Sequence, residues 1–183
     1  MIMANVDASD TKFHNLLSDQ VRNEFTASQQ YIAIAVHFDG ADLPQLAALF
    51  YRQSVDERNH AMMLVRYLLD RGIGVDIPGT DTVCSQFPSA RAAIATALDL
   101  ERGVTEQIVA LAAAARDEDD YLGEQFMGWF LKEQVEEVAA MTTLLRIADR
   151  AGASLFDLED FVAREMSSAP ADPNAPAAAG GTL

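Results

Sequence analysis

Glu57 and His60 stand three residues apart in the middle of an otherwise largely apolar helical stripe: Leu46, Phe50, Gln53, Glu57, His60, Leu64, Leu68. Steps of three and four residues put all seven on one face of a helix. A face that buries Leu and Phe at both ends should not carry a carboxylate between them. Burying an unpaired carboxylate costs so much that the group protonates, pairs or binds a metal. A carboxylate and an imidazole at this spacing can grip one cation between them.

Three further segments carry the same anomaly. Their stripes are Leu17, Gln20, Glu24, Ala27, Tyr31, Ile34, Phe38; then Ile94, Leu98, Glu101, Thr105, Ile108, Ala112, Ala115; then Phe126, Phe130, Glu133, Glu137, Met141, Leu144, Ala148. Each inward acid falls near the middle of its segment. In antiparallel helices of similar length, middles meet at one level, so Glu24, Glu57, His60, Glu101 and Glu137 are expected to converge. Several acids in a low-dielectric core repel one another unless cations neutralise them. Oxygen ligands with a single imidazole suit iron or manganese and admit zinc. Glu57 is best placed to bridge two metals, and Gln134 is close enough to touch the site or its bound oxygen. Tyr31, one heptad after Glu24, should sit over the site as a hydrogen-bond or electron donor. Trp129, one turn before Glu133, is a second redox candidate. Taken singly, each feature is ordinary: a lone Glu-x-x-His is usually a surface pair, and buried aromatics usually only pack. His14 and His37 read as structural or surface residues, and Met62, Met63 and Met141 as core fillers. Only the fourfold coincidence carries the chemical reading.

The elements needed to position these residues are legible. The first helix runs from about Thr11 to Phe38, with Asp10 or Thr11 as N-cap and Gly40 beyond its end. Asp42-Leu43-Pro44-Gln45 has the form of a capping box with Pro in the first turn, opening a second helix that stops at Gly72. Residues 73–88 hold two Gly and two Pro and read as a loop. Such a loop can reach roughly 50 Å, whereas a helix of about 30 residues is about 45 Å long. It can therefore cross the whole bundle and leave the second and third helices parallel. The third helix occupies about Ser89–Arg116 and the fourth about Tyr121–Ala151. Ser154-Leu155-Phe156-Asp157 signals a short fifth helix, about 154–166. The expected fold is all-α: a four-helix bundle over 11–166 with a long crossover and a fifth helix. A loose arm precedes it at 1–10. A Pro/Ala/Gly-rich tail follows at 167–183 and reads as disordered.

Composition narrows the function. The 183 residues include 28 acids against 13 bases, a formal net charge of −15. That surface repels nucleic acid and anionic lipid and attracts cations. No apolar run approaches the ~20 residues of a membrane span. The start of the chain lacks the basic-then-apolar pattern of a secretory signal. The single cysteine, Cys84, excludes an internal disulfide framework. These features suit a cytoplasmic protein.

Asn23-Glu24-Phe25 with Gln30-Tyr31, Glu57-Arg58-Asn59-His60-Ala61, Glu101, and Glu133-Gln134-Val135-Glu136-Glu137 resemble the motifs of bacterial non-haem ferritins, close to the actinobacterial type. The likeness spans about 11–165. It implies a first iron site of Glu24, Glu57 and His60 and a second of Glu57, Glu101 and Glu137, with Gln134 nearby. It also implies a third, transit site of Glu133, Glu136 and Glu137, whose fourth carboxylate falls on the shorter Asp56. The implied activity is ferroxidase: Fe(II) is oxidised by oxygen or peroxide and stored as ferric mineral. The implied assembly is a homo-oligomeric shell of twenty-four subunits, the fifth helix lining a four-fold axis and Glu124 near a pore. Haem-binding bacterioferritins typically carry Glu-Met-x-His on the second helix and a further Glu-x-x-His on the fourth. Here Arg58 follows Glu57 and the fourth helix has no His, so no haem is expected. Two other readings stand beside this one: a shell-less di-metal oxidase or oxygenase of the same bundle class, and a metal-free helical interaction protein.

Overall fold

Local capping starts most of the helices where the sequence signals them. The computed structural model describes residues 11–152, 154–166 and 172–183, and among these it contains five helices and no strand. α1 is Lys12–Asp39, and its N-cap Thr11 accepts the His14 N–H at 3.2 Å. α3 is Ala90–Asp117, capped by Ser89 through the Ala92 N–H at 3.1 Å. α4 is Tyr121–Ala151, capped by Asp120 through the Gly123 N–H at 3.0 Å. In each case a short polar side chain satisfies an N–H that the first helical turn leaves open.

α2, Pro44–Asp70, departs from its expected start. Its N-cap is Leu43, which has no side-chain cap, and Asp42 instead turns the chain at φ 57°. The open N–H groups of Gln45 and Leu46 donate to the Glu159 carboxylate at 2.9 and 2.8 Å. Glu159 lies on α5, Leu155–Glu165. A carboxylate at a helix N-terminus also meets the positive end of the helix dipole. A tertiary contact thus replaces the capping box, and it pins α5 across the start of α2. Ser154, at the N-cap of α5, makes no side-chain cap either.

The crossover between α2 and α3 climbs along α1. Asp81 N–H donates to Thr26 Oγ1 at 3.1 Å, Cys84 exchanges two 2.8 Å bonds with the Gln30 amide, and the Phe87 ring meets His37 edge-on. Rising loop number meets rising α1 number, so α3 begins beside the end of α1. α3 therefore runs antiparallel to α1 and parallel to α2, and α4 returns antiparallel to α3.

The apolar stripes form two separate cores. One gathers Tyr31, Ile34, Phe38, Leu46, Phe50, Ile94, Leu98, Met141 and Leu144 under α5. The other gathers Phe13, Leu17, Val21, Leu64, Leu68, Ile108, Leu111, Met127 and Phe130 at the opposite end. The Phe13 ring of α1 packs there directly on the start of α4, where a Cβ on Gly123 would lie 2.4 Å from it.

The tail is a correction. Residues 172–183 lie against α2 and α4 instead of hanging free. Asp172 Oδ2 accepts from Trp129 Nε1 at 3.2 Å, Ala179 N–H donates to the Met62 carbonyl at 2.9 Å, and Leu183 N–H donates to Asn59 Oδ1 at 3.2 Å. Ala175, Ala178 and Ala179 pack on the second core. Alanine methyls bury apolar area with no rotamer entropy to lose, which a reading of low complexity as disorder overlooks. The arm at 1–10 and residues 167–171 lie outside the described residues.

Candidate metal centre

Between the two cores lies one polar layer, built from the middle of each long helix. Glu24 on α1, Glu57 and His60 on α2 and Glu101 on α3 are each 5% exposed or less. Glu24, Glu57 and His60 present ligand atoms that all lie within 4.8 Å of one another. His60 Nδ1 is 3.2 Å from Glu57 Oε2. Glu137 reaches the layer from α4, and Gln53 Nε2 donates to its Oε2 at 2.8 Å. Gln20 Nε2 donates to Glu24 Oε1 at 2.9 Å. The Tyr31 hydroxyl donates to Glu101 Oε1, so this tyrosine sits on the layer with no exposed surface. Gln134 is buried beside Glu101 and accepts from Thr105 Oγ1 at 2.8 Å.

Among the described residues, three buried carboxylate oxygens have no hydrogen-bond partner: Glu24 Oε2, Glu57 Oε1 and Glu101 Oε2. An orphaned oxygen in a dry interior costs more than an ordinary hydrogen bond returns. The electrostatics carry the same mark. Burial, then the neighbouring Glu57, pushes the Glu24 carboxyl well above its usual range. Burial, then Glu101 and Glu137, does the same to Glu57. Burial raises Glu101, and burial with Glu101 raises Glu137 to about 7. Burial and the nearby Glu101 carboxylate hold the Tyr31 phenol well above its ordinary value. The layer is short of positive charge, and a divalent cation among these oxygens would supply it. The donor set is hard oxygen with one imidazole, which fits iron, manganese or zinc.

The remaining acids form an edge to this layer. Glu133 is half-buried, and burial raises its carboxyl. Asp56 is exposed, though partial desolvation still raises it against the pull of His60 and Arg52. Glu136 is exposed and lies 3.6 Å from Lys132 Nζ, which is also 3.5 Å from Asp172. The ligand-atom cluster of Glu24, Glu57 and His60 takes in neither these three nor Glu101 and Glu137. Trp129 stands between layer and tail: its ring meets His60 edge-on at 5.7 Å while its N–H goes to Asp172. Glu124 pairs with Arg116 at the start of α4. Sequence reasoning assigned no role to Gln20, Gln53 and Thr105, although all three lie on the inward stripes. A neutral polar residue one turn from an inward acid was the available signal.

A profile of the ferritin-like domain matches residues 14–151. The chain belongs to the ferritin family. Among its relatives, "Ferritin BfrB" of Mycolicibacterium smegmatis is 72% identical over 181 residues, covering 99% of this chain and 100% of that protein. A "Bacterial non-heme ferritin" of Staphylococcus aureus is 32% identical over 136 residues, 74% of this chain and 82% of that protein. The Mycobacterium tuberculosis relative, 64% identical, is named both "Ferritin BfrB" and "Bacterioferritin BfrB". Among solved structures, an engineered closed form of the Archaeoglobus fulgidus ferritin superposes with a TM-score of 0.82 at 25% identity, covering 87% of this chain and 99% of that one. The all-α bundle with a short fifth helix is thus the ferritin fold.

Proposed function

We propose that this ferritin is a ferroxidase and iron store whose substrate, Fe(II), binds in the central layer. The observation that carries the reading is the set of three orphaned, buried carboxylate oxygens, two of them on the residues clustered with His60. Glu24, Glu57 and His60 hold the first ion. Glu57, Glu101 and Glu137 hold the second, with Glu57 between the two. Each Fe(II) gives up one electron. Dioxygen takes the two electrons and two protons and leaves as hydrogen peroxide, or peroxide takes them and leaves as water. The protein supplies geometry and negative charge, and the redox chemistry belongs to iron. The carboxylates release the protons that burial makes them keep, so iron binding and proton release are linked.

The edge acids Asp56, Glu133 and Glu136 with Glu137 form a weaker transit site, because Lys132 already offers Glu136 and Glu133 a positive charge and Arg52 offers one to Asp56. Ferric ions pass on to a mineral inside a shell of twenty-four copies in the cytoplasm. Haem has no part in this reading: Arg58 follows Glu57 and α4 carries no His, unlike the motifs of haem-binding bacterioferritins. His14 is buried 3.8 Å from Asp120 at one end of the bundle, and His37 packs between Phe38 and Phe87.

The deciding experiment adds Fe(II) aerobically to the metal-free protein. Rapid growth of ferric absorbance is expected, and Glu57→Ala should slow it by about a hundredfold or more, since both ions lose a ligand. An undiminished rate in that variant defeats the assignment. Native mass spectrometry checks the shell, and a mass near one or two subunits favours the shell-less oxidase instead.

A further inference from the structure

Each carboxylate of the central layer has one oxygen in hydrogen-bond contact with a protein group, and none of those groups is an ammonium or guanidinium. Gln20 holds Glu24, His60 faces Glu57, Tyr31 holds Glu101 and Gln53 holds Glu137. We propose that Gln20 and Gln53 are positioning residues, each serving one metal position: Gln20 the first through Glu24, Gln53 the second through Glu137. The proposal rests on the two-ion reading above.

The two amides are built into the layer. Gln20 is 2% exposed and Gln53 9%. Gln20 lies one helical turn before Glu24 on the same face of α1, and its own oxygen accepts from Asn23 Nδ2 at 3.2 Å. That bond fixes which end of the amide faces the acid. Gln53 lies one turn before Glu57 on α2 but reaches across the bundle to Glu137 on α4. Gln20 bonds Oε1 of Glu24 and leaves the orphaned Oε2 alone, and Gln53 bonds only Oε2 of Glu137.

The residue type matters. An arginine or lysine here would bind its acid as an ion pair and compete with the metal for charge. A leucine would leave both carboxylate oxygens free to rotate. An amide donates one hydrogen bond to one oxygen, leaving the negative charge and the second oxygen for a cation. Partners that orient a metal's ligands in this way typically change metal affinity by about 10–100-fold. The division between the two amides also explains why both are needed: Glu57 is shared between the positions, while Glu24 and Glu137 are the acids special to each.

The test is anaerobic calorimetric titration of the metal-free protein with Co(II) as probe, on wild type and on Gln20→Met and Gln53→Met, which keep length and lose the donor. Wild type should take up two ions per subunit. Each variant should lose about tenfold in the affinity of one ion only, a different one in each case, and the double variant should lose both. The Gln20 variant should also change how Co(II) quenches Trp129, the only tryptophan, which lies against His60. Should a methionine variant fail to fold, Asn23→Ala removes the bond that orients Gln20 from a half-buried position, and it should weaken the same ion as Gln20→Met by about threefold. Unaltered titrations in the variants overturn the proposal alone. So does an equal loss of both ions in each single variant, which assigns the amides to packing. A wild type that takes up no Co(II) removes the two-ion reading and this proposal with it.

Discussion

The central layer and its acidic edge are made of the same residue types on neighbouring turns of α2 and α4, yet they differ in what neutralises them. Glu57 and Asp56 are adjacent in sequence, as are Glu137 and Glu136. Glu57 is 1% exposed with one oxygen orphaned, whereas Asp56 is exposed and feels Arg52. Glu137 is held by a neutral amide, whereas Glu136 faces the ammonium of Lys132. One residue step is about 100° around a helix, enough to move an acid from the core to its rim. In the core no ammonium or guanidinium among the described residues satisfies the acids, so burial makes them hold their protons where no cation replaces them. At the rim, side chains and water already offset much of the charge.

The largest expected effect separates the two regions directly. Glu101→Ala should reduce aerobic Fe(II) oxidation by about a hundredfold, while Glu136→Ala should change the initial rate by no more than a few fold. Stopped-flow absorbance on both variants checks this, and similar losses would erase the distinction drawn here.

A second prediction sharpens the contrast through pH. The Glu137 carboxyl is raised to about 7 in the folded chain from an ordinary 4.5. The folded state then binds that proton more tightly than the unfolded state. Its contribution is therefore present in full below the ordinary value and is lost as pH rises through about 7. At about 1.4 kcal/mol per pH unit, Glu137 alone removes about 3 kcal/mol from the metal-free protein across that window. Melting temperatures measured in chelator should fall from pH 5 to pH 8, and saturating Zn(II) should reverse the trend. The lowered Asp120 and Asp172 act only at more acid pH, where protonating them removes stability. Glu137→Gln should flatten the slope, whereas a change at Glu136 should not.

The smallest effect concerns the edge. Lys132→Ala removes the ammonium that Glu136 and Asp172 share. A weak additional Co(II) ion should then bind, with affinity a few fold above that of wild type, and added salt should abolish it because the site is exposed. Calorimetry at two ionic strengths measures both.

Much of this was legible without coordinates, for a physical reason. Helical periodicity is local, so stripes of apolar residues with Glu24, Glu57, Glu101 and Glu137 near their centres expose the layer and the four long helices together. A polar cap such as Thr11 works within four residues and marks its helix start. The long 73–88 loop needed only its length to imply a crossover.

What the chain alone could not reveal depends on partners distant in sequence. The start of α2 looked self-capped, but Glu159, more than a hundred residues away, closes it. Gln53 lies beside Glu57 in the helix and serves Glu137 on another. The tail's alanines look featureless until α2 and α4 offer them a surface. The amino-acid order by itself determined which faces of the helices turn inward and that acids lie on them, because that follows from a repeat of 3.6 residues. Only the tertiary structure decided which oxygens are held and which are left open, because a hydrogen bond depends on distances of a few ångströms between elements that local pattern does not relate.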